Sequence, residues 1–242
     1  STRRSMPRDS VATSASAGTP SWSRIGATEL VVVLAPHPEP TGYLLDRYLV
    51  AADRIGVAGL ICLNKADLLD DDARRAFRER FAHYEAIGYP VIQISAKTEH
   101  GLDPLLECLR ERTSILVGQS GVGKSSLINA LIPRENVIEG GLSDATGLGR
   151  HTTSAATLYS LQSGGELIDS PGVRSFRLVS LERQQLEQGF REFRPYLGHC
   201  RFADCSHDQE PGCALIEAVG NGLIAPQRLI HFRHLAAGLP DL

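Results

Sequence analysis

At 242 residues the chain is long enough to bury a sizeable core, and its 42% hydrophobic and 22% charged residues are ordinary for a globular protein. A net charge of -3 announces no general nucleic-acid binder, so any RNA contact has to come from local patches. No apolar run approaches the ~20 residues that span a bilayer and the N-terminus has no hydrophobic signal core, so the expectation is a cytoplasmic monomer without membrane contact.

Residues 1–25 are rich in Ser, Ala, Thr and Arg with little periodicity and read as a tail or linker. From Glu29 the text changes. ELVVVLA is a short apolar run of the kind covered on both faces of a sheet, and YLLDRYLVAADRIG then puts Leu44, Leu45, Tyr48, Leu49 and Ala52 on one helical face, ending at Gly56. The unit repeats: VAGLICL is a strand, Asp70 to Ala86 one charged surface helix, PVIQIS a strand. LDPLLECLRER is a helix with Asp103 as N-cap and Pro104 at its first position. TSILVG is a further strand feeding the helix GKSSLINALI, and AATLYSLQSGGELIDSPG reads as a hairpin. Strands alternating with helices predict an α/β fold, a mostly parallel sheet with helices on both faces over residues 26–177. Residues 178–242 become helical and crowded with Cys and His, a second, smaller unit.

Four stretches carry chemistry in the first unit. Gly118, Gln119, Ser120, Gly121, Val122, Gly123, Lys124 and Ser125 fill the template G-x-x-x-x-G-K-[ST], between a strand and a helix that continues through Ser126. Backbone N–H groups of such a loop and the helix N-terminus surround phosphate oxygens, Lys124 adds a point charge, and the Ser125 hydroxyl binds Mg²⁺. After a strand come Asn64, Lys65 and Asp67, the pattern N-K-x-D. The Asp67 carboxylate can accept from both N1–H and the 2-amino group of guanine, where adenine offers a lone pair and no 2-amino group. Asn64 either assists at that edge or braces the loop, and the Lys65 stem lies over the ring; a plain helix cap is the alternative for either polar residue. Ser95, Ala96 and Lys97 follow the next strand and offer a backbone N–H to the guanine carbonyl. Asp169-Ser-Pro-Gly172 matches D-x-x-G: Asp169 suits the Mg²⁺ shell through water, and the Gly172 N–H meets a γ-phosphate, though a Pro-Gly turn alone would look similar. Between them LSDATGLGRHTTSAAT offers Thr152 or Thr153 as a second hydroxyl for Mg²⁺, with Thr153 favoured.

The order N-K-x-D, S-A-K, phosphate loop, threonine loop, D-x-x-G is a circular permutation of the usual GTPase order. Ligand positions depend on which strand ends lie together in space, so the site survives the reordering. D-x-x-G then leads directly into the C-terminal unit.

In that unit Cys200, Cys205, His207 and Cys213 are spaced C-x4-C-x-H-x5-C, a Cys₃His set suited to one structural zinc, with His199 as a second choice of ligand. Cys62 and Cys108 read as core residues. Arg191, Arg194, Arg201, Arg228, His231, Arg233 and His234 alternate with Phe193, Tyr196, Phe202 and Phe232, a mixture suited to RNA loops and phosphates, with a helix surface of solvated arginines as the alternative.

DRYLVAA, LNKADLL, GQSGVGKSSLINAL, GLGRHTTSAA, IDSPGVRSF and GHCRFADCSHDQEPGCAL together closely resemble the small ribosomal subunit biogenesis GTPases, the RsgA/YjeQ family, from about Ile25 to Leu235. The resemblance implies a circularly permuted P-loop GTPase that hydrolyses GTP to GDP and phosphate. It further implies action late in maturation of the 30S subunit, contact with 16S rRNA near the decoding region, and stimulation by the subunit. Members of that family usually begin with an oligonucleotide-binding barrel of about a hundred residues, more chain than residues 1–25 provide. The tail is then expected to be its remnant or replacement. Val173 stands after Gly172 and cannot orient a water as a glutamine would, so His151, beside Thr152, is the expected positioner of the attacking water, with Lys124 and Gly172 at the phosphate. A permuted GTPase with another RNA or protein partner, or a nucleotide-gated RNA-binding module with negligible turnover, are the alternatives.

Overall fold

The computed structural model describes residues 26–132, 157–169 and 182–238. Its centre is a six-stranded sheet in the order β3-β2-β1-β4-β6-β5, formed by β1 (Glu29–Leu34), β2 (Ala58–Leu63), β3 (Val91–Gln93), β4 (Thr113–Val117), β5 (Thr157–Ser160) and β6 (Glu166–Asp169). β1 pairs with β2 and β4, β2 with β3, and β4 with β6, all parallel; β5 and β6 form the antiparallel hairpin expected around Ser163-Gly164-Gly165. The mostly parallel α/β class is therefore as the sequence predicts.

β1 is buried along its whole length and its alternation sorts the two layers. Leu30, Val32 and Leu34 face a cluster with Leu45, Leu49, Phe77, Phe81 and Tyr84, from α1 (Gly42–Arg54), α2 (Asp71–Glu79), α3 (Ala82–Ala86) and the turn between them. Val31 and Val33 face the other side, with Leu105 and Leu109 of α4 (Leu102–Leu109) and Leu127, Ile128 and Leu131 of α5 (Lys124–Leu131).

Two local expectations are corrected. The helix read from Asp70 to Ala86 is broken: the Phe81 N–H bonds Arg78 O, three residues back, and α3 restarts at Ala82. No Gly or Pro marks that break in the sequence. Asp70, however, does cap α2, accepting from the Ala73 N–H at 2.8 Å. In α4 the cap is Gly101 rather than Asp103, and the helix stops at Leu109, short of Arg112. Gly101 has φ 75°, and a Cβ there would lie 2.5 Å from Gln93 O, so the close crossing of the chain over β3 requires glycine.

Beyond the sheet lie α6 (Arg183–Gly189), a 3₁₀ segment (Arg191–Tyr196), α7 (Ala214–Gly220) and α8 (Pro226–Ala236), around a separate core of Leu186, Phe190, Phe193, Leu215, Leu229 and Phe232. Val50 of α1 belongs to this core too, so α1 is packed on both sides. Among the described residues no helix is long and apolar enough to cross a membrane.

Candidate nucleotide site and metal centre

β1, β2, β3, β4 and β6 run parallel, so the loops after them open on one edge of the sheet. After β1 the chain steps outward through β2 and β3, then returns across to β4 on the other side of β1. The crevice beside that reversal is where open α/β sheets take ligands. N-K-x-D follows β2, S-A-K follows β3, the phosphate loop follows β4, and Asp169 ends β6.

The phosphate loop needs its glycines. Gly118 has φ 140° and a Cβ on it would lie 2.2 Å from Val33 O of β1; Gly123, with φ 94°, caps α5 and would meet Asn64 Nδ2 at 2.5 Å. The loop borders a cleft of about 460 Å³ lined by Lys65, Gly118, Ser120, Gly121, Lys124, Ser125 and Ser126 among others. Lys124 Nζ donates to Gly118 O at 2.7 Å and Gln119 O at 2.6 Å, spanning its own loop. Val122 is buried beneath it, while Gln119 Nε2 donates to the hydroxyl of Thr41, the N-cap of α1, at 2.9 Å.

The N-K-x-D and S-A-K loops are cross-braced. Asn64, 2% exposed, donates from Nδ2 to Val122 O at 3.0 Å and accepts from the Ala96 N–H on Oδ1, also at 3.0 Å. Of the two roles open to it in the sequence, the structure shows bracing, a tie between phosphate loop and S-A-K loop. Lys65, in the left-handed region at φ 63°, donates to His37 O at 2.8 Å and to Gly121 O, so its stem crosses the gap between both loops. Asp67 sits on the 3₁₀ turn Ala66–Leu68 and accepts on Oδ1 from Ser95 Oγ at 2.6 Å. That leaves Asp67 half-buried with Ser95 holding it in place, and Lys97 exposed. The braces through Thr41, His37 and Val122 O are contacts that motif spacing does not encode.

His151, Thr152, Thr153 and Gly172 lie outside the described residues, as do Val173 and the tail 1–25; of Asp169 the backbone pairing with Thr157 is described.

The four ligand atoms of Cys200, Cys205, His207 and Cys213 all lie within 4.8 Å of one another. His207 Nδ1 is 3.3 Å from Cys213 Sγ and 3.5 Å from Cys200 Sγ, and the two sulfurs are 4.0 Å apart. Such a convergence of three sulfurs and one imidazole nitrogen matches the closed tetrahedral donor set of zinc. Burial holds the His207 imidazole below its usual range, in the neutral form that a metal requires. His199 is exposed and outside the converging set. The loop is further organised by Glu210, whose carboxylate accepts from the Ser206 N–H at 2.7 Å and the Asp208 N–H at 2.9 Å.

The basic and aromatic set of this unit is mostly not a surface. Phe193 and Phe232 are fully buried, and Arg228, 1% exposed, is enclosed between Asp46 and Glu192. Arg191 and Arg194 both pair with Asp53 of α1, Arg233 donates to the carbonyls of His207 and Asp208, and His231 bonds Asp46. The expectation of an RNA-facing patch is corrected for Phe193, Phe232 and Arg228, which close a small core with the arginine held between Asp46 of α1 and Glu192. Arg194, Arg201 and Phe202 remain exposed, the Arg201 guanidinium 5.6 Å from the Phe202 ring centroid.

A family model described as RsgA GTPase matches residues 13–179. Curated relatives named small ribosomal subunit biogenesis GTPase RsgA include one from Azotobacter vinelandii, 50% identical over 88% of this chain, and one from Chromohalobacter salexigens, 53% identical over 87%. The chain spans 62% of the length of each. Among solved structures, YjeQ from Thermotoga maritima superposes with a TM-score of 0.72 at 34% identity, covering 88% of this chain and 73% of that one. YloQ, described as a circularly permuted GTPase, gives 0.67 at 30% identity over 89% and 70%.

Proposed function

Because the chain belongs to the RsgA GTPase family, we propose that it binds and hydrolyses GTP and uses that cycle in late maturation of the 30S ribosomal subunit, with 16S rRNA as partner. The observation that carries this reading is the joining of three loops at one sheet edge, by Asn64 between Val122 and Ala96 and by Lys65 between His37 and Gly121. The curated relatives are named for small-subunit biogenesis, which supports the choice of partner. Such a factor works in the cytoplasm.

In this reading residues 26–177 form the nucleotide unit and 178–242 the zinc unit. The loop from Gly118 to Ser126 cradles the phosphates, with its N–H groups and Lys124 opposing the charge that develops during transfer. Asp67 takes the guanine edge, held by Ser95, and the S-A-K segment supplies an N–H to the base carbonyl. Ser125, Thr153 and Asp169, the last through water, are the residues that would hold Mg²⁺, whose charge neutralises the phosphate oxygens when bound. Gly172 meets the γ-phosphate and His151 directs the attacking water. Cys200, Cys205, His207 and Cys213 hold one zinc that closes the C-terminal loop.

Multiple-turnover GTP hydrolysis with and without purified 30S subunits tests the proposal. Slow intrinsic turnover raised by 30S, and not by 50S, is expected. Turnover indifferent to 30S would remove the ribosomal partner, and binding without turnover under any condition would leave a nucleotide-gated binding module.

A further inference from the structure

His207 is held from two sides by elements outside its own loop. Its ring presents Nδ1 to the sulfurs of Cys213 and Cys200, at 3.3 and 3.5 Å, while Nε2, at the other edge of the ring, faces Glu187 Oε1 of α6 at 3.4 Å. The same Oε1 receives Arg183 Nε at 3.2 Å. Arg183 also donates to Ser206 O, the residue before the histidine, and its guanidinium lies 5.4 Å from the Phe232 ring centroid. From α8, Arg233 gives two hydrogen bonds to His207 O, at 2.8 and 2.6 Å. The backbone between these supports has φ 57°, a conformation that a histidine keeps only when its surroundings hold it there.

A neutral imidazole offers a lone pair at one nitrogen and carries a proton at the other. Here thiols stand at one and a carboxylate at the other, so the two roles are assigned by placement. We propose that Glu187 is the positioning residue of the zinc centre: its carboxylate accepts the Nε2–H of His207, fixing the tautomer whose Nδ1 lone pair points into the cluster and holding the ring in line with the sulfurs. This rests on the reading of the cluster as a zinc site. A solvated i,i+4 pair with Arg183 would be an ordinary alternative for a helix-surface glutamate. Glu187 is only 16% exposed, however, and its oxygen is aimed at a ring whose far edge meets two ligand atoms. Partners of this kind orient metal-bound histidines and strengthen their lone pairs.

The test compares the parent chain with Glu187→Ala and Glu187→Gln. Zinc affinity, read by competition with a chromophoric chelator, is expected to fall ~10–100-fold in Glu187→Ala, with much of the loss recovered in Glu187→Gln, whose amide oxygen still accepts. In zinc-loaded protein carrying ¹⁵N-histidine, two-bond correlations should identify Nδ1 as the metal-bound nitrogen. The Nε2 proton should exchange with water slowly in the parent and fast in Glu187→Ala. Melting with and without excess chelator separates positioning from plain structure: loss confined to the loaded form supports the proposal, equal loss in both forms overturns it. So would unchanged affinity in Glu187→Ala, or a metal-bound Nε2. Should the alanine variant fail to fold, Glu187→Gln decides, since Nε2–H exchange much faster than the parent's at unchanged affinity would overturn the role. A parent chain that takes up no zinc fails the zinc reading itself, and the proposal with it.

Discussion

Arg228 of α8 and Asp46 of α1 meet in the interior with neither side chain more than 1% exposed. The Arg228 Nη1–H donates to Asp46 Oδ1, which also accepts the Tyr84 hydroxyl at 2.5 Å, while Arg228 Nε and Nη2 donate to Glu192 at 2.5 and 3.1 Å. The guanidinium lies 4.4 Å from the Phe190 ring centroid. Taking two charges from water is repaid only when geometry and remaining hydrogen bonds are good, and here both are. Removing the arginine strands two acids: Arg228→Ala should cost about 3–5 kcal/mol by urea unfolding, whereas Asp46→Ala, which leaves Arg228 paired with Glu192, should cost less. The double variant should fall well short of the sum, because the second removal relieves a stranded charge. A loss under about 1 kcal/mol in Arg228→Ala would show the pair to be solvated instead.

The same cluster gives stability a pH dependence. Burial alone would raise the Asp46 carboxyl, but Arg228, then His231 and Tyr84, outweigh it and hold it below its ordinary 3.8. A folded pKa below the unfolded one means that this contribution is complete above the unfolded value and drains away as pH falls through the folded one. His83 moves in the same direction. Burial first, and Arg228 second, hold its imidazole below 6.5 against the opposing pull of Asp46 and Glu192, and its Nε2 is buried without a hydrogen-bond partner. Its contribution is complete above 6.5 and is lost with acidification below that. Urea midpoints across a pH series should therefore fall in two steps, and His83→Gln should reduce the upper step while leaving the lower one. An upper step unchanged in His83→Gln would assign it to another group.

Asp67 offers a specificity test. Ser95 Oγ donates to Oδ1 at 2.6 Å, which orients the carboxylate and leaves it lone pairs on both oxygens. Asp67→Asn should weaken GTP and admit xanthosine triphosphate, because an amide N–H pairs with the xanthine 2-oxo group where a carboxylate cannot. A competition assay in which the variant keeps the parent's preference for GTP would take Asp67 out of base reading.

Much of this was legible in the chain, and the reasons differ by residue. The apolar runs from Leu30 to Leu34 and from Leu60 to Leu63 are long enough, and β-branched enough, to declare buried parallel strands, and the motif at each strand end then follows from topology. The cysteine spacing also fixed which side chains converge. What spacing does not reveal is commitment of polar groups over long sequence distances. Arg228 looked like one basic residue among several; its partner Asp46 lies in a helix whose pattern is that of an ordinary amphipathic element. The helix break at Phe81 carries no Gly or Pro, and the Gly101 cap arises from a close crossing over Gln93 O that only three dimensions display.

Asn64 supports the last prediction, because both ends of its amide are used in a space with no slack. Nδ2 donates to Val122 O and Oδ1 accepts from the Ala96 N–H, each at 3.0 Å, and the side chain is 2% exposed. Asn64→Ala leaves the buried Val122 carbonyl without a partner, at about 1–3 kcal/mol, and the part-buried Ala96 N–H without its own, and should loosen the phosphate loop and weaken nucleotide binding at every pH. Asn64→Asp has the same shape but a different fault. Its ionised carboxylate still accepts from Ala96 but opposes the Val122 carbonyl with negative charge, in a site too buried to solvate it. Burial raises the pKa of such a group, and once protonated its O–H can donate to Val122 O while the other oxygen keeps Ala96. Nucleotide affinity of Asn64→Asp should therefore be weakest at alkaline pH and recover towards the parent's on acidification, whereas Asn64→Ala shows no such recovery. Titrations with a fluorescent GDP analogue from about pH 5.5 to about pH 8 read this directly, that window lying where a buried carboxyl titrates. A profile for Asn64→Asp parallel to that of Asn64→Ala would mean that the Val122 contact does not hold the loop.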